Sequence, residues 1–203
     1  MYLIGLTGGI AAGKSTVAKR WVEHGAFEID ADDVAREVVQ IESPGLSQVV
    51  QAFGSNVLSD SGELNRSVLA KIVFESPEKR LLLNSILHPL IKERTKQLLS
   101  EFASDAIVVY NVPLLVEAAV DHDFDLVVTV EAPEDAQIKR LTEIRGLSLS
   151  EAQSRIASQA KPVERAARAD RILNSNQDVA LLLRDADRLW REIEVLASAH
   201  RGQ

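Results

Sequence analysis

The sequence predicts an α/β fold: a five-stranded parallel sheet with helices on both faces and a helical insertion. Three observations carry that expectation. Short apolar runs of strand length alternate with stretches of helical periodicity, the pattern of βαβ units. The runs are nearly continuous in Val, Ile and Leu, as strands buried on both faces are. The first run leads into Gly8-Gly9-Ile10-Ala11-Ala12-Gly13-Lys14-Ser15, the G-x-x-x-x-G-K-[ST] spacing of a phosphate-binding loop, with a helical pattern behind it.

The elements follow in order. Tyr2 to Leu6 is the first strand, and Thr16 to His24 a helix ended by Gly25. Ala26 to Asp30 is the second strand. The third, Ala106 to Asn111, is the most continuously apolar and is expected at the centre. The gap between the second and third strands is about 70 residues, too long for one crossover. Helical periodicity fills it at Val34–Val39, Leu46–Phe53, Val68–Phe74 and from Glu78 to Phe102, with turn signals at Ser43-Pro44-Gly45, Ser61-Gly62 and Ser76-Pro77. Residues 34–103 therefore read as a helical insertion, and residues 1–33 with 104–203 as the nucleotide-binding core. Leu126 to Val130 is the fourth strand and Arg171 to Leu173 the fifth. Between them, Pro133 opens a helix to about Arg145, Gly146 ends it, and a second helix runs from about Ser150 to Ala160, with Pro162 as its stop. Asp178 to Ala199 is a closing amphipathic helix with Leu181, Leu182, Ala186, Leu189, Trp190 and Ile193 on its apolar side.

Composition narrows the function class. The 203 residues are 46% hydrophobic and 26% charged, enough for a sizeable core. A net charge of −7 argues against a nucleic-acid binder working through a basic face. The chain has no cysteine, which removes disulfides, thiolate metal sites and a cysteine nucleophile and fits a reducing compartment. No run approaches the ~20 apolar residues of a membrane span, and no secretory leader is legible. A soluble cytoplasmic protein is expected. One segment departs from the acidic background: from Lys139 to Arg171 there are eight Lys/Arg against four Asp/Glu.

The loop motif has its own chemistry. Its glycines let successive N–H groups converge on one anion, and the positive end of the next helix faces the same point. Lys14 reaches the terminal phosphates of a nucleotide, and the Ser15 hydroxyl ligates Mg²⁺. What the nucleotide is used for depends on other residues. The chain lacks the N-K-x-D base-reading motif of GTPases, and its third strand ends in Asn111 rather than an acidic residue. It does have Asp30-Ala31-Asp32-Asp33 after the second strand. In an extended segment Asp30 and Asp32 share a face, so one is placed to take a proton from an attacking hydroxyl and the other to hold water on Mg²⁺. Helix capping is the competing reading, strongest for Asp33.

Arg140 and Arg145, in the basic segment, are candidates to stabilise charge on a transferring phosphoryl group; a solvated helix face with ion pairs such as Lys139–Glu143 is the alternative. His88-Pro89 interrupts the long helical stretch, where proline is expected to kink it. Glu117 follows the third strand, at the sheet edge where open α/β folds bind ligands.

Taken together, these features resemble the dephospho-CoA kinase family along almost the whole chain. The resemblance rests on Ile4 to Ile10 with Gly13-Lys14-Ser15, Asp30-Ala31-Asp32 with Ala35-Arg36, His88-Pro89-Leu90-Ile91 and Pro113-Leu114-Leu115-Val116-Glu117. It continues through Gln137, Arg140-Leu141, Arg145-Gly146, Arg155-Ile156, Gln159, Ala169-Asp170 and Asn174. It implies a P-loop kinase fold with a helical substrate lobe and a helical lid at about residues 134–168. It implies transfer of the ATP γ-phosphate to the ribose 3′-hydroxyl of dephospho-CoA, with Mg²⁺, as the last step of coenzyme A biosynthesis.

By the same resemblance Asp32 is the base and Arg140 the lid arginine. ATP is held by Gly9, Ile10, Ala11, Ala12, Gly13, Lys14, Ser15, Thr16 and Arg140, with Asn174 near the adenine. Asp32, His88, Leu115 and Glu117 line the acceptor side. The implied partners are small molecules, with no nucleic acid or membrane, and the protein is a monomer or weak homo-oligomer.

Four positions, at three places in the chain, depart from the family's usual pattern. Ala11-Ala12 stands where Gly-Ser or Gly-Ala is common; with a negative φ the alanine still lets the loop amides point inward. Asn111 replaces a common acidic residue. Asn176 replaces a common glycine, asparagine being tolerant of the left-handed conformation. Two other readings compete: a P-loop kinase of a smaller alcohol such as shikimate or gluconate, and a nucleotide-binding regulator without turnover.

Overall fold

A computed structural model describes residues 1–113, 115 and 123–200. The chain divides into two compact units, Met1–Asp30 with Phe102–Gln203, and Ala31–Glu101.

The first unit is the sheet unit. Its strands are β1 (Tyr2–Gly8), β2 (Phe27–Asp30), β3 (Ile107–Asn111), β4 (Leu126–Glu131) and β5 (Arg171–Asn174). All pairings are parallel, in the order β2-β3-β1-β4-β5. The five apolar runs thus form the five strands. β1, rather than β3, is central, and every residue of it is buried. The chain crosses from one side of β1 to the other after β3, so the loop following β1 opens at the carboxyl edge where the strand order reverses, the usual ligand crevice of open α/β sheets.

Helix α1 (Lys14–Glu23) and the last helix (Val179–His200) pack on each other over β1 and β4. Val17 and Trp21 meet Leu189, Trp190 and Ile193 in a core that takes in Ile4, Leu6, Val128 and Val130. Trp21 is fully buried and satisfies its indole by donating to the carbonyl of Ala186, 3.0 Å away.

The second unit is helical. It holds α2 (Ala31–Glu37), α3 (Pro44–Phe53), a 3₁₀ turn (Ser55–Val57), α4 (Arg66–Glu75) and α5 (Pro77–Ser100). Ser43, Asn65 and Ser76 cap α3, α4 and α5 by accepting first-turn N–H groups. Val39, Val49, Val57 and Leu69 form its core with Leu83, Ile86 and Leu87 of α5. The helix continues through Pro89 as one element, carried by packing of α5 on α2, α3 and α4.

Back in the sheet unit, α6 (Glu134–Glu143), α7 (Leu149–Ala157) and α8 (Pro162–Ala166) link β4 to β5, which makes the closing helix Val179–His200 α9. α7 ends at Ala157 with Ser158 as its C-cap, short of Pro162, which instead begins α8, since proline suits the first position of a helix. No helix of the described residues is long and apolar enough to cross a membrane.

Candidate active site

β1 delivers the chain into the loop at Gly8, and α1 begins at Lys14. The turn closes where the Ala12 N–H donates to the Gly9 carbonyl at 3.1 Å. Gly13 is the N-cap of α1 with φ 102°, a left-handed conformation suited to glycine. No side chain caps α1, and its first turn carries no acidic residue. The positive end of its dipole therefore has no carboxylate of its own to neutralise it, the condition for binding an anion.

A cleft opens there. Ala11 to Thr16 form its floor, Arg140, Ile144 and Arg145 come from α6 and the residues after it, and Gln177, Val179 and Leu182 from the start of α9. Among the described residues lining it, Lys14, Arg140 and Arg145 are cationic and none is acidic. The acidic protein thus keeps a local positive field at its phosphate loop, which attracts a polyanion.

The loop is held from behind by side chains distant in sequence. The Ile10 N–H donates to Gln159 Oε1 at 2.7 Å, and Gln137 Nε2 donates to the Ile10 carbonyl at 2.8 Å. Arg140 Nη1 donates to the carbonyl of Ala11 at 3.0 Å and to Ser175 Oγ at 2.9 Å, and the Ser175 hydroxyl donates in turn to the Ala12 carbonyl. Gly9 makes room for this arrangement, because a Cβ there would lie 2.2 Å from Gln137 Nε2.

Ala11 departs from the expected conformation. Its φ is 56°, in the left-handed region, not the negative value that would make alanine a cost-free replacement for glycine. That geometry costs an alanine roughly 1–2 kcal/mol and persists only where the surroundings impose it. Conversely, Asn176 has no positive φ and needs no left-handed tolerance. Its N–H donates to Asn174 Oδ1 at 2.8 Å, which commits the Asn174 carbonyl oxygen to a turn after β5.

The aspartates are arranged differently from the extended segment the sequence suggests. Asp30 is the last residue of β2, but Ala31 begins α2, so Asp32 and Asp33 occupy a helical first turn and the two-residue alternation does not apply. Residues two apart on a helix are on nearly opposite sides. Asp33 pairs with Arg36 one turn on.

Asp30 faces β3, where Asn111 Nδ2 donates to it at 3.3 Å and to Glu28 Oε1 at 3.0 Å. This explains asparagine at 111. An aspartate would set a third carboxylate against two, whereas the amide donates to both. Asn111 is buried and its Oδ1 has no protein partner among the described residues. That acceptor and the exposed Ser15 hydroxyl in the first turn of α1 are hard oxygen donors, the chemistry Mg²⁺ takes when it keeps most of its water and nucleotide oxygens.

His88 is exposed on α5 in the helical unit, Leu115 is buried, and Glu117 lies outside the described residues. Thr16 and Arg145 line the cleft with Lys14. Sequence reasoning gave no role to Gln137, Gln159 or Ser175, and missed the buried pair between Arg165 of α8 and Glu131 at the end of β4. The two glutamines stood in the family resemblance, but nothing local marked their target as the loop backbone.

The comparisons with known proteins agree with one another. The family model described as dephospho-CoA kinase matches residues 2–180. A curated dephospho-CoA kinase of Streptomyces avermitilis is 44% identical over 193 residues, covering 95% of this chain and 94% of the relative. The solved dephospho-CoA kinase of Campylobacter jejuni superimposes with a TM-score of 0.71 at 25% identity, covering 95% and 96% of the two chains. A Thermus thermophilus crystal structure gives a TM-score of 0.81 at 28% identity over 94% and 97%. A five-stranded parallel sheet, a phosphate loop with an uncapped helix behind it, and a match along nearly the full length lead to one assignment: the chain belongs to the dephospho-CoA kinase family.

Proposed function

We infer that this protein phosphorylates the ribose 3′-hydroxyl of dephospho-CoA with ATP, giving CoA and ADP, the last step of coenzyme A biosynthesis. Family membership over residues 2–180 is the observation that carries it. The reading favoured less, a kinase of shikimate or gluconate, leaves that match without a reason.

The roles follow from chemistry. The acceptor oxygen forms a bond to the γ-phosphorus as the bond from that phosphorus to the β-bridging oxygen breaks. The hydroxyl proton passes to Asp32, the proposed base. Lys14 places a point charge on the β- and γ-phosphates, and the loop N–H groups hold the remaining oxygens. Ser15 is the residue that would hold Mg²⁺ through its hydroxyl, and the chemistry a bound ion would supply is neutralisation of negative charge on the nucleotide phosphates.

Arg140 supports the loop and contributes positive charge to its cleft. The adenine lies on the side of Asn174, where Ile144 and Val179 offer apolar surface. His88, Leu115 and Glu117 belong to the acceptor side. Residues 134–168 act as the lid, its moving part centred on α7, because Arg165 buries its guanidinium against Glu131 and anchors α8 to the sheet. The enzyme works in the cytoplasm on small-molecule partners, as a monomer or weak homo-oligomer.

The test is an acceptor panel. With ATP and Mg²⁺, ADP should form with dephospho-CoA and not with shikimate, gluconate or adenosine. ADP with shikimate and none with dephospho-CoA would promote the other kinase reading, and tight ATP binding without turnover on any acceptor would favour a regulator.

A further inference from the structure

The loop carries an alanine in a conformation that favours glycine, and both peptide groups flanking that alanine are gripped. On one side, Ile10 gives its N–H to Gln159 and its carbonyl to Gln137. On the other, the Ala11 carbonyl accepts from Arg140 and the Ala12 carbonyl from Ser175. Gln137 is 4% exposed and stands where a Cβ on Gly9 would be, so it has no room to swing away.

Gln159 is also held in place. It lies between α7 and α8, and the next residue, Ala160, gives its carbonyl to Arg165, itself locked on Glu131 by two hydrogen bonds. A chain of polar contacts therefore runs from the end of β4 through Arg165 and the α7–α8 link to the backbone of Ile10.

We propose that Gln159, with Gln137, is a positioning residue that holds the backbone around Ile10 and Ala11 in its left-handed turn and so keeps the loop shaped for nucleotide, a hold on which this chain depends more strongly because residue 11 is alanine. A strained residue persists where its surroundings over-determine it. The two glutamines fix the peptide groups on both sides of the Ile10 Cα, Gln159 through the N–H of the Gly9–Ile10 peptide and Gln137 through the carbonyl of the Ile10–Ala11 peptide, which a packing contact does not. With glycine at position 11 the turn would carry no Cβ strain and would need less of that hold. This rests on the ATP-binding reading, and it implies that the segment carrying α7 acts on the loop as well as covering it.

The experiment is a double-variant cycle. Gln159→Leu removes the acceptor and keeps the bulk. It should weaken ATP binding by about tenfold in titration calorimetry, the loss expected for one polar contact to a half-buried backbone group. In the Ala11→Gly background the same Gln159→Leu change should weaken ATP binding by no more than about threefold. Undiminished binding by Gln159→Leu, or an equal loss in the two backgrounds, overturns the proposal; the latter would mean that Gln159 acts by packing.

A second measurement needs no nucleotide. Amide exchange of Ile10 should be slow in the parent and faster in Gln159→Leu, whose melting temperature changes little. Unchanged Ile10 exchange also overturns the proposal. A parent protein that fails to bind ATP would defeat the functional reading, and the exchange result would still decide the clamp.

Discussion

Arg165 and Glu131 meet through two parallel hydrogen bonds, Nε to Oε1 at 2.7 Å and Nη2 to Oε2 at 2.6 Å, with the arginine side chain 4% exposed. The pair ties α8 to the carboxyl end of β4, next to the phosphate loop. Removing Arg165 leaves the half-buried Glu131 carboxylate with only the Thr129 hydroxyl as a partner among the described residues, which costs about 3 kcal/mol, the lower end for a broken buried pair. Arg165→Met should therefore lower unfolding free energy in urea by about that amount, and adding Glu131→Gln should restore a large part of it. A loss below about 1 kcal/mol would place the pair with ordinary surface ion pairs.

Lys14→Ala should reduce kcat/KM by about a hundredfold or more while leaving circular dichroism and melting temperature near the parent's. The cleft at the loop has only Arg140 and Arg145 besides Lys14 as cations among its described lining residues, and Arg140 is already engaged with Ala11 and Ser175. Loss of one well-placed electrostatic contact in phosphoryl or acyl transfer is of this size. Near-normal turnover would remove the loop from the mechanism.

Asp32→Asn should lower kcat by roughly 10²–10⁴ with a modest change in ATP affinity, toward the lower figure because a loose transition state needs little proton removal. Asp30→Asn should be milder on kcat, since Asp30 accepts from the Asn111 amide at the strand end. Rapid-quench measurement of both variants checks this. A crippling Asp30→Asn with a mild Asp32→Asn would exchange their roles.

The frame of the fold is legible in the sequence because its signals are local. All five apolar runs are strands, and the ends of the helices follow Pro44, Ser76-Pro77 and Gly146. What was illegible depends on contacts far apart in the chain. β1 is central because β3 and β4 both pair with it, and no periodicity within β3 shows that. The left-handed φ of Ala11 is imposed by Gln137, Gln159 and Arg140, over a hundred residues away. The Asp30–Asp32 alternation failed because α2 starts one residue after β2 with no extended link between them. The Lys14 and Ser15 positions were legible, since in a phosphate loop the spacing itself is the geometry.

Stability in acid should report on the contact between α1 and α9. Asp187 accepts from Arg20 Nε at 2.6 Å and lies 2.8 Å from His24 Nε2, and His24 stacks on Trp190. The Arg20 guanidinium first, and then His24, hold the Asp187 carboxyl well below the usual carboxylate range. A carboxyl that is more acidic folded than unfolded contributes stability above its unfolded value, about 4, and loses it as pH falls toward the folded value. The melting temperature of the parent should therefore fall more steeply below about pH 4 than that of Asp187→Asn, which should already be less stable at pH 7. Parallel acid limbs would mean that the Asp187 contacts contribute nothing to stability.

The central claim is the identity of the phosphorylated position, and phosphorus NMR of the product reads it directly. After reaction of dephospho-CoA with ATP and Mg²⁺, a new phosphomonoester resonance should appear, coupled to the ribose 3′ proton, in equal amount to the ADP formed. The pyrophosphate signals of the acceptor should be retained. ADP without that resonance, or a phosphomonoester on another alcohol, would contradict the account.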